Sequence, residues 1–166
     1  INNIRSWFEK ISYIPQKIFF LGDSIYENIS LGKVKDLDKK KMEEILDFSQ
    51  LNNKSINIEN IFSKKIEDSG KNLSGGEKQR IGIARALFQN RDIIILDEAT
   101  SALDKDTEEK IMNNLLKLNK TIIIISHNTT HIEKFDKILF FKSNGEIYFD
   151  SYDSLKNNRE FKELTY

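Results

Sequence analysis

Leu73-Ser74-Gly75-Gly76-Glu77-Lys78-Gln79-Arg80 is the stretch on which the fold of this 166-residue chain turns. Ser-Gly-Gly alone would be any polar turn ahead of a helix. Ile81, Ala84, Ala86 and Leu87 then give the following segment an apolar side at helical spacing, and Ser74 is placed to cap its start. Next comes an abrupt apolar run, Ile93-Ile94-Ile95-Leu96, closed by Asp97-Glu98. Its lack of polar alternation predicts a strand buried on both faces of a parallel sheet. A further acid follows in Ser101-Ala102-Leu103-Asp104, and a second apolar run, Ile122 to Ile125, closes in Ser126-His127. Between the runs, Ile111, Met112, Leu115, Leu116 and Leu118 predict a helix over Asp104 to Leu118, with Asp104 or Asp106 as its cap. A helix between two such runs is a β-α-β unit. Upstream, Ile11 to Ile14 reads as a strand stopped by Pro15, with Gln16 opening a loop. The fold class is therefore α/β.

Composition narrows the function. Lysine plus arginine and aspartate plus glutamate number 26 each, so the formal charge is zero and a nucleic-acid partner is not expected. No cysteine is present, which removes disulfides and thiolate metal sites and fits a reducing compartment. The longest apolar runs are far shorter than the ~20 residues of a membrane span. The chain begins at Ile1 and in mid-pattern, just ahead of a strand, so a fragment of a longer protein is expected.

Five signals in this order, each closing an apolar segment, resemble the ATP-binding cassette (ABC) ATPases. The resemblance implies a P-loop NTPase-type (RecA-like) parallel sheet core with a small helical subdomain. It divides the chain into a core strand and Q-loop (1–22), the helical subdomain with the signature sequence (23–90), and a core segment (91–166). That last segment would hold the Walker B strand, the D-loop, the H-loop and a C-terminal hairpin with helices. The Pro15-Gln16 turn followed by Glu27-Asn28-Ile29 looks most like the exporter branch, where this segment sits beneath the transmembrane domain. Phe19 and Phe20 are either part of that surface or simply core. Ser24 with Glu27 fits a capping box, and Asp38 to Phe48 reads as an amphipathic helix capped by Asp38. Ile66-Glu67-Asp68-Ser69-Gly70 stands where exporters carry a Gly-Glu-Arg-Gly-like loop and keeps its last glycine and an acid. Lys137 to Phe141 and Glu146 to Phe149, joined through Ser143-Asn144-Gly145, read as a hairpin, and Ser151 to Tyr166 as short helices.

The chemistry follows from residue type and place. A strand that ends in Asp97-Glu98 sets two carboxylates at the C-terminal edge of a sheet, where open α/β sheets bind ligands. An acidic cap on the next helix is the other reading of that pair. Mg²⁺ prefers oxygen ligands and keeps several waters, which suits Asp97 in the Walker B role. Phosphoryl transfer needs an in-line water, and Glu98 is placed to polarise it. By the resemblance, the Gln16 side chain meets the metal and that water. His127 matches the switch histidine that reaches the γ-phosphate, a role suited to a donor that carries little charge. His131 reads as structural or surface. Ser74, Gly75 and Gly76 open a helix whose free N–H groups attract phosphate, with Glu77 in the same turn. The family closes this loop, with Asp104 along the seam, on ATP held by the opposite cassette. The implied cofactors are ATP and Mg²⁺; the implied partners are a second nucleotide-binding domain, head to tail, and a transmembrane domain. The implied place is the cytoplasmic face of the membrane.

A cassette also requires a P-loop, G-x-x-x-x-G-K-[ST], and this sequence contains none. Gly32-Lys33 is followed by Val34, and Gly70-Lys71 by Asn72. The resemblance thus covers the C-terminal part of a cassette, and these residues alone are expected to bind ATP poorly and not to hydrolyse it. Two other readings stay open. One is a soluble ABC ATPase of translation or DNA maintenance. Against it stand the charge balance, the short Gln16–Ser74 interval without a heptad array, and Ser101-Ala102-Leu103-Asp104 where translation-type members have an Asn-His-Leu-Asp pattern. The other is a non-hydrolysing partner cassette that supplies only Ser74 to Glu77, against which Glu98 and His127 argue.

Overall fold

A computed structural model describes residues 4–32, 38–53, 55–142 and 144–165. Ser143 of the expected hairpin turn, Lys33 and Val34, and Tyr166 lie outside the described residues. The chain falls into two compact units, Ile1–Ile125 and Ser126–Tyr166.

The first unit is built on a parallel sheet of β1 (Ile11–Ile14), β2 (Ile93–Asp97) and β3 (Thr121–Ile125), in that spatial order. Ile14 sits beside Leu96, and Leu96 beside Ile124, so the strands end together. A short helix, α1 (Ile4–Phe8), precedes β1; no sequence signal pointed to it. Arg91 ties this start to the sheet by donating to the carbonyls of Phe8 and Ile11.

Helix α4 (Gly75–Gln89) lies on one face of the sheet. Its start is a full capping box. Ser74 Oγ accepts from the Glu77 N–H at 3.2 Å, and the Glu77 carboxylate accepts from the Ser74 N–H at 2.9 Å. Its end turns at Asn90, which adopts a left-handed conformation (φ 50°). Gly82 lets α4 approach β1 closely: a Cβ there would meet Ile14 Cγ2 at 3.2 Å and collide with the end of Ile18. Ser12 Oγ donates to the Ala86 carbonyl across the same contact.

Between β1 and α4 the chain folds around its own core. Helices α2 (Ile25–Ser30) and α3 (Lys39–Phe48) pack Phe20, Ile25, Ile29, Met42, Leu46, Leu51, Ile56, Ile61 and Ile66 against Ile81 and Ala84 of α4. Asp38 caps α3 as its sequence predicts. At α2 only half of the expected capping box forms. Ser24 Oγ accepts from the Glu27 N–H, but the Ser24 N–H donates to the adjacent Asp23 carboxylate at 2.6 Å, so Glu27 has no donor to reach back to.

Helix α5 (Lys105–Leu115), capped by Asp104, joins β2 to β3. It stops three residues short of the expected Leu118, because Lys117 and Leu118 bond three residues back and turn the chain towards β3. The β2 run is buried on one face, at Ile94 and Leu96, and half-buried on the other, at Ile93 and Ile95. Ile14, Ile94 and Leu96 are buried, whereas Tyr13, Ile123 and Ile125, on the face opposite α4, are about half exposed. No alternation marks the difference because the open face is itself apolar.

The second unit holds an antiparallel hairpin of β4 (Ile138–Phe141) and β5 (Ile147–Asp150), followed by α6 (Tyr152–Leu155) and α7 (Arg159–Thr165). Ile138, Phe140, Leu155 and Phe161 form its core, with Phe140 and Phe161 edge to face. His131 is buried here.

Candidate functional site

The strand ends bring three of the expected residues together. Gln16, just past β1, donates through Nε2 to Glu98 Oε2 at 2.5 Å. Asp97 is the last residue of β2, and its Oδ2 accepts from the Tyr13 hydroxyl at 2.7 Å. That bond to the carboxylate pushes the Tyr13 phenol above its ordinary value. Tyr13 carries no sequence signal for this contact; a tyrosine in a strand reads as packing.

Glu98 itself is held in an unusual backbone state, with φ 48°. A left-handed residue that is not glycine costs about 1–2 kcal/mol and persists only where its surroundings over-determine it. Here its N–H donates to the Ile125 carbonyl at 2.9 Å. Its own carbonyl accepts from Ser101 Oγ at 2.9 Å and from Gln79 Nε2 at 3.2 Å. The side chain is thereby turned off the strand axis towards Gln16.

The donors at this edge are the Asp97 carboxylate, the Glu98 carboxylate and the free amide oxygen of Gln16. An all-oxygen set with one or two carboxylates suits Mg²⁺, which takes its remaining ligands from water and phosphate. Among the described residues no group of three or more His, Cys, Asp or Glu gathers as a self-sufficient metal site.

The start of α4 meets the segment between β2 and α5. A Cβ on Gly75 would lie 3.2 Å from Ala102 Cβ, and one on Gly76 would lie 3.2 Å from the Ala102 carbonyl oxygen. Bare glycines thus let Ser74 to Glu77 rest directly on the loop that ends in Asp104. Asp104 Oδ1 accepts from the Thr107 N–H at 3.0 Å, which holds its carboxyl below the usual range. At Glu77, partial burial works to raise the carboxyl, but the bonds from Ser74 outweigh it and the net shift is downward.

Both depressed carboxyls stabilise the fold above the ordinary carboxylate pKa and lose that contribution as pH falls through their lower folded values. Stability is expected to drop below about pH 4. A Glu77→Gln, Asp104→Asn variant should lose less between about pH 5 and about pH 3 than the parent, as read by urea denaturation at each pH.

Phe19 and Phe20 part company. Phe20 is buried in the core between α2 and α4, while Phe19 is 74% exposed. Arg85 of α4 fixes the turn between them, donating to the Phe19 carbonyl through both terminal nitrogens at 3.1 Å and to the Asn28 carbonyl through Nε at 2.8 Å. Asn28 in turn closes the Leu21–Ser24 loop with its amide. His127 belongs to the second unit, directly after β3, and is exposed.

The family model described as ABC transporter matches residues 1–101. The ATP-dependent permease MDL1 of Candida albicans is 36% identical across 98% of this chain, which covers 25% of that protein. The Mesentericin-Y105 transport/processing ATP-binding protein MesD of Leuconostoc mesenteroides is 37% identical across 87% of the chain and 20% of its own length. Among solved structures, a bacterial Atm1-family ABC exporter with ATP bound superposes with a TM-score of 0.85 at 28% identity, over 96% of this chain and 29% of the exporter chain. The chain thus spans about a quarter of the length of the curated relatives it matches.

Proposed function

The chain belongs to the ABC transporter family, and we propose that it is the C-terminal portion of a nucleotide-binding domain that hydrolyses ATP to drive export across a membrane. The observation that carries this reading is the Gln16–Glu98 pair at the end of β2, beside Asp97. The names of relatives, the Mesentericin-Y105 transport/processing ATP-binding protein and a putative export ATP-binding/permease protein of Rickettsia prowazekii among them, support export.

In this reading Glu98 accepts a proton from, or orients, the water that attacks the γ-phosphate. Gln16 fixes the Glu98 carboxylate and presents its amide oxygen beside it. Asp97 and Gln16 would hold Mg²⁺, which supplies charge neutralisation at the phosphates when bound. His127 donates to the γ-phosphate as the switch histidine. Ser74, Gly75, Gly76 and Glu77 offer the α4 start to the ATP of a second cassette, with Asp104 along the seam between the two. The P-loop comes from sequence outside these 166 residues, so the segment alone neither binds ATP well nor turns it over. Exposed Phe19, with Leu21 beside it, suits contact with a transmembrane domain at the cytoplasmic face. Among the described residues no helix is long and apolar enough to cross a membrane, so the spanning part is a separate segment or partner.

The deciding experiment is to detect the native polypeptide with an antibody to this segment and assay ATP turnover of the purified product. A membrane-fraction band several times heavier than 19.4 kDa, with Mg²⁺-dependent turnover, is the expected result. A soluble 19.4 kDa species that binds RNA or DNA in a salt-dependent way would overturn it.

A further inference from the structure

We propose that Gln79 is a positioning residue for Glu98, through which the anion-binding start of α4 and the water-orienting carboxylate move as one piece. The proposal rests on the role given to Glu98 above. Gln79 lies one turn into α4, and its side chain is buried at 6% exposure. Its side-chain hydrogen bonds run to one five-residue segment. Nε2 donates to the Glu98 carbonyl at 3.2 Å and to Ser101 Oγ at 3.0 Å, and Oε1 accepts from the Ala102 N–H at 2.8 Å. Ser101 Oγ in turn donates to the same Glu98 carbonyl at 2.9 Å. Both amide hydrogens and the amide oxygen are therefore spent on Glu98–Ala102.

That segment needs holding. Glu98 sits at φ 48°, a state an ordinary residue leaves unless its peptide groups are pinned. Two of the donors that pin its carbonyl are Gln79 and the hydroxyl that Gln79 itself engages. Gly75 and Gly76, on the preceding turn of α4, rest on Ala102 without side chains to cushion a displacement. A shift of the α4 start is thus passed through a rigid amide and a backbone contact to the residue that carries the carboxylate. No other residue type reproduces the set. Glutamate has no donor for the Glu98 carbonyl, and methionine has the length but neither a donor nor a strong acceptor.

The test uses the intact polypeptide that carries this segment. Gln79→Met is expected to lower kcat at least about tenfold, since sub-ångström misplacement of a catalytic group has effects of this size, with KM for ATP within about twofold. Amide hydrogen exchange over Glu98–Leu103 should rise in that variant while the exchange of α2 and α3 stays as in the parent. Gln79→Glu, which keeps the bond from Ala102, should lose kcat like Gln79→Met. Ser101→Ala removes the relay and one acceptor of the Gln79 amide while leaving its bonds to Glu98 and Ala102 in place, and should shift kcat and exchange in the same direction if Gln79→Met does not fold. Parental kcat and parental exchange in either foldable variant would overturn the proposal, as would a parallel fall of kcat, ATP affinity and Tm, which marks a merely structural bond. A parent protein that does not hydrolyse ATP sinks the reading of Glu98 instead, and exchange over Glu98–Leu103 still reports whether Gln79 holds the segment.

Discussion

Glu98→Gln is expected to reduce steady-state ATP turnover of the intact protein by at least about 100-fold, the range seen when a general base is removed. That fold-change corresponds to about 2.7 kcal/mol of transition-state stabilisation. The substitution is close to isosteric. Its amide oxygen can still accept from Gln16 Nε2, and the backbone bonds to Ile125, Ser101 and Gln79 are untouched. What disappears is the capacity to take a proton and the negative charge that orients water. ATP affinity should therefore stay within about threefold of the parent, and the loss should fall on kcat. Single-turnover kinetics with labelled ATP separate the two. A variant that keeps more than about a tenth of parental turnover would show that Glu98 is not the base or orienter and would favour a cap role for the Asp97-Glu98 pair.

The elements that carry this site were legible because parallel sheets write their ligand edge into the sequence: an apolar run, then a polar residue where the strand stops. Pro15-Gln16 and Leu96-Asp97-Glu98 are that pattern twice, and the register that ends Ile14 beside Leu96 brings Gln16 to Glu98. Ser74 was legible for a local reason, since its cap and Glu77 lie within one turn. The residues that hold these parts in place were not. Gln79, Arg85 and Asn28 are polar side chains on helices, and the pattern of polarity assigns such residues to solvent. Their partners stand 19 to 66 residues away in the cases of Gln79 and Arg85, a distance no local signal spans. Tyr13 was missed from the opposite side, its ring suggesting packing and its hydroxyl doing the work. The split between Phe19 and Phe20 likewise depends on the direction of a turn that Arg85 fixes and adjacent identical side chains cannot reveal.

Asn28→Ala carries the largest expected loss of stability among the polar substitutions considered. Asn28 is fully buried on α2. Its Oδ1 accepts from the Leu21 N–H at 2.8 Å, and its Nδ2 faces the carbonyls of Leu21 at 3.0 Å, Asp23 at 3.3 Å and Ser24 at 2.9 Å. Alanine would leave a backbone N–H and up to three carbonyls without the part-buried amide that they bond. One buried unsatisfied group costs about 1–3 kcal/mol, so a total of about 3 kcal/mol is expected once the loop relaxes and some carbonyls keep other partners. The Ser24 carbonyl is such a case, since the Asn28 N–H still reaches it at 3.1 Å. Against a whole-domain stability of about 5–15 kcal/mol this is a large fraction. The loop it releases, Leu21 to Ser24, follows directly on Phe19 and Phe20, so the defect should reach the Gln16 loop as well. Urea denaturation of the intact protein should show a lower midpoint, with proteolysis beginning near residues 19–24. The control is Asn52→Ala, whose amide bonds to an exposed Asp47 carboxylate and whose loss should stay within about 0.5 kcal/mol. Equal midpoints for the two variants would mean that the Leu21–Ser24 loop is held by its flanking core residues, Phe20 and Ile25, and not by the amide of Asn28.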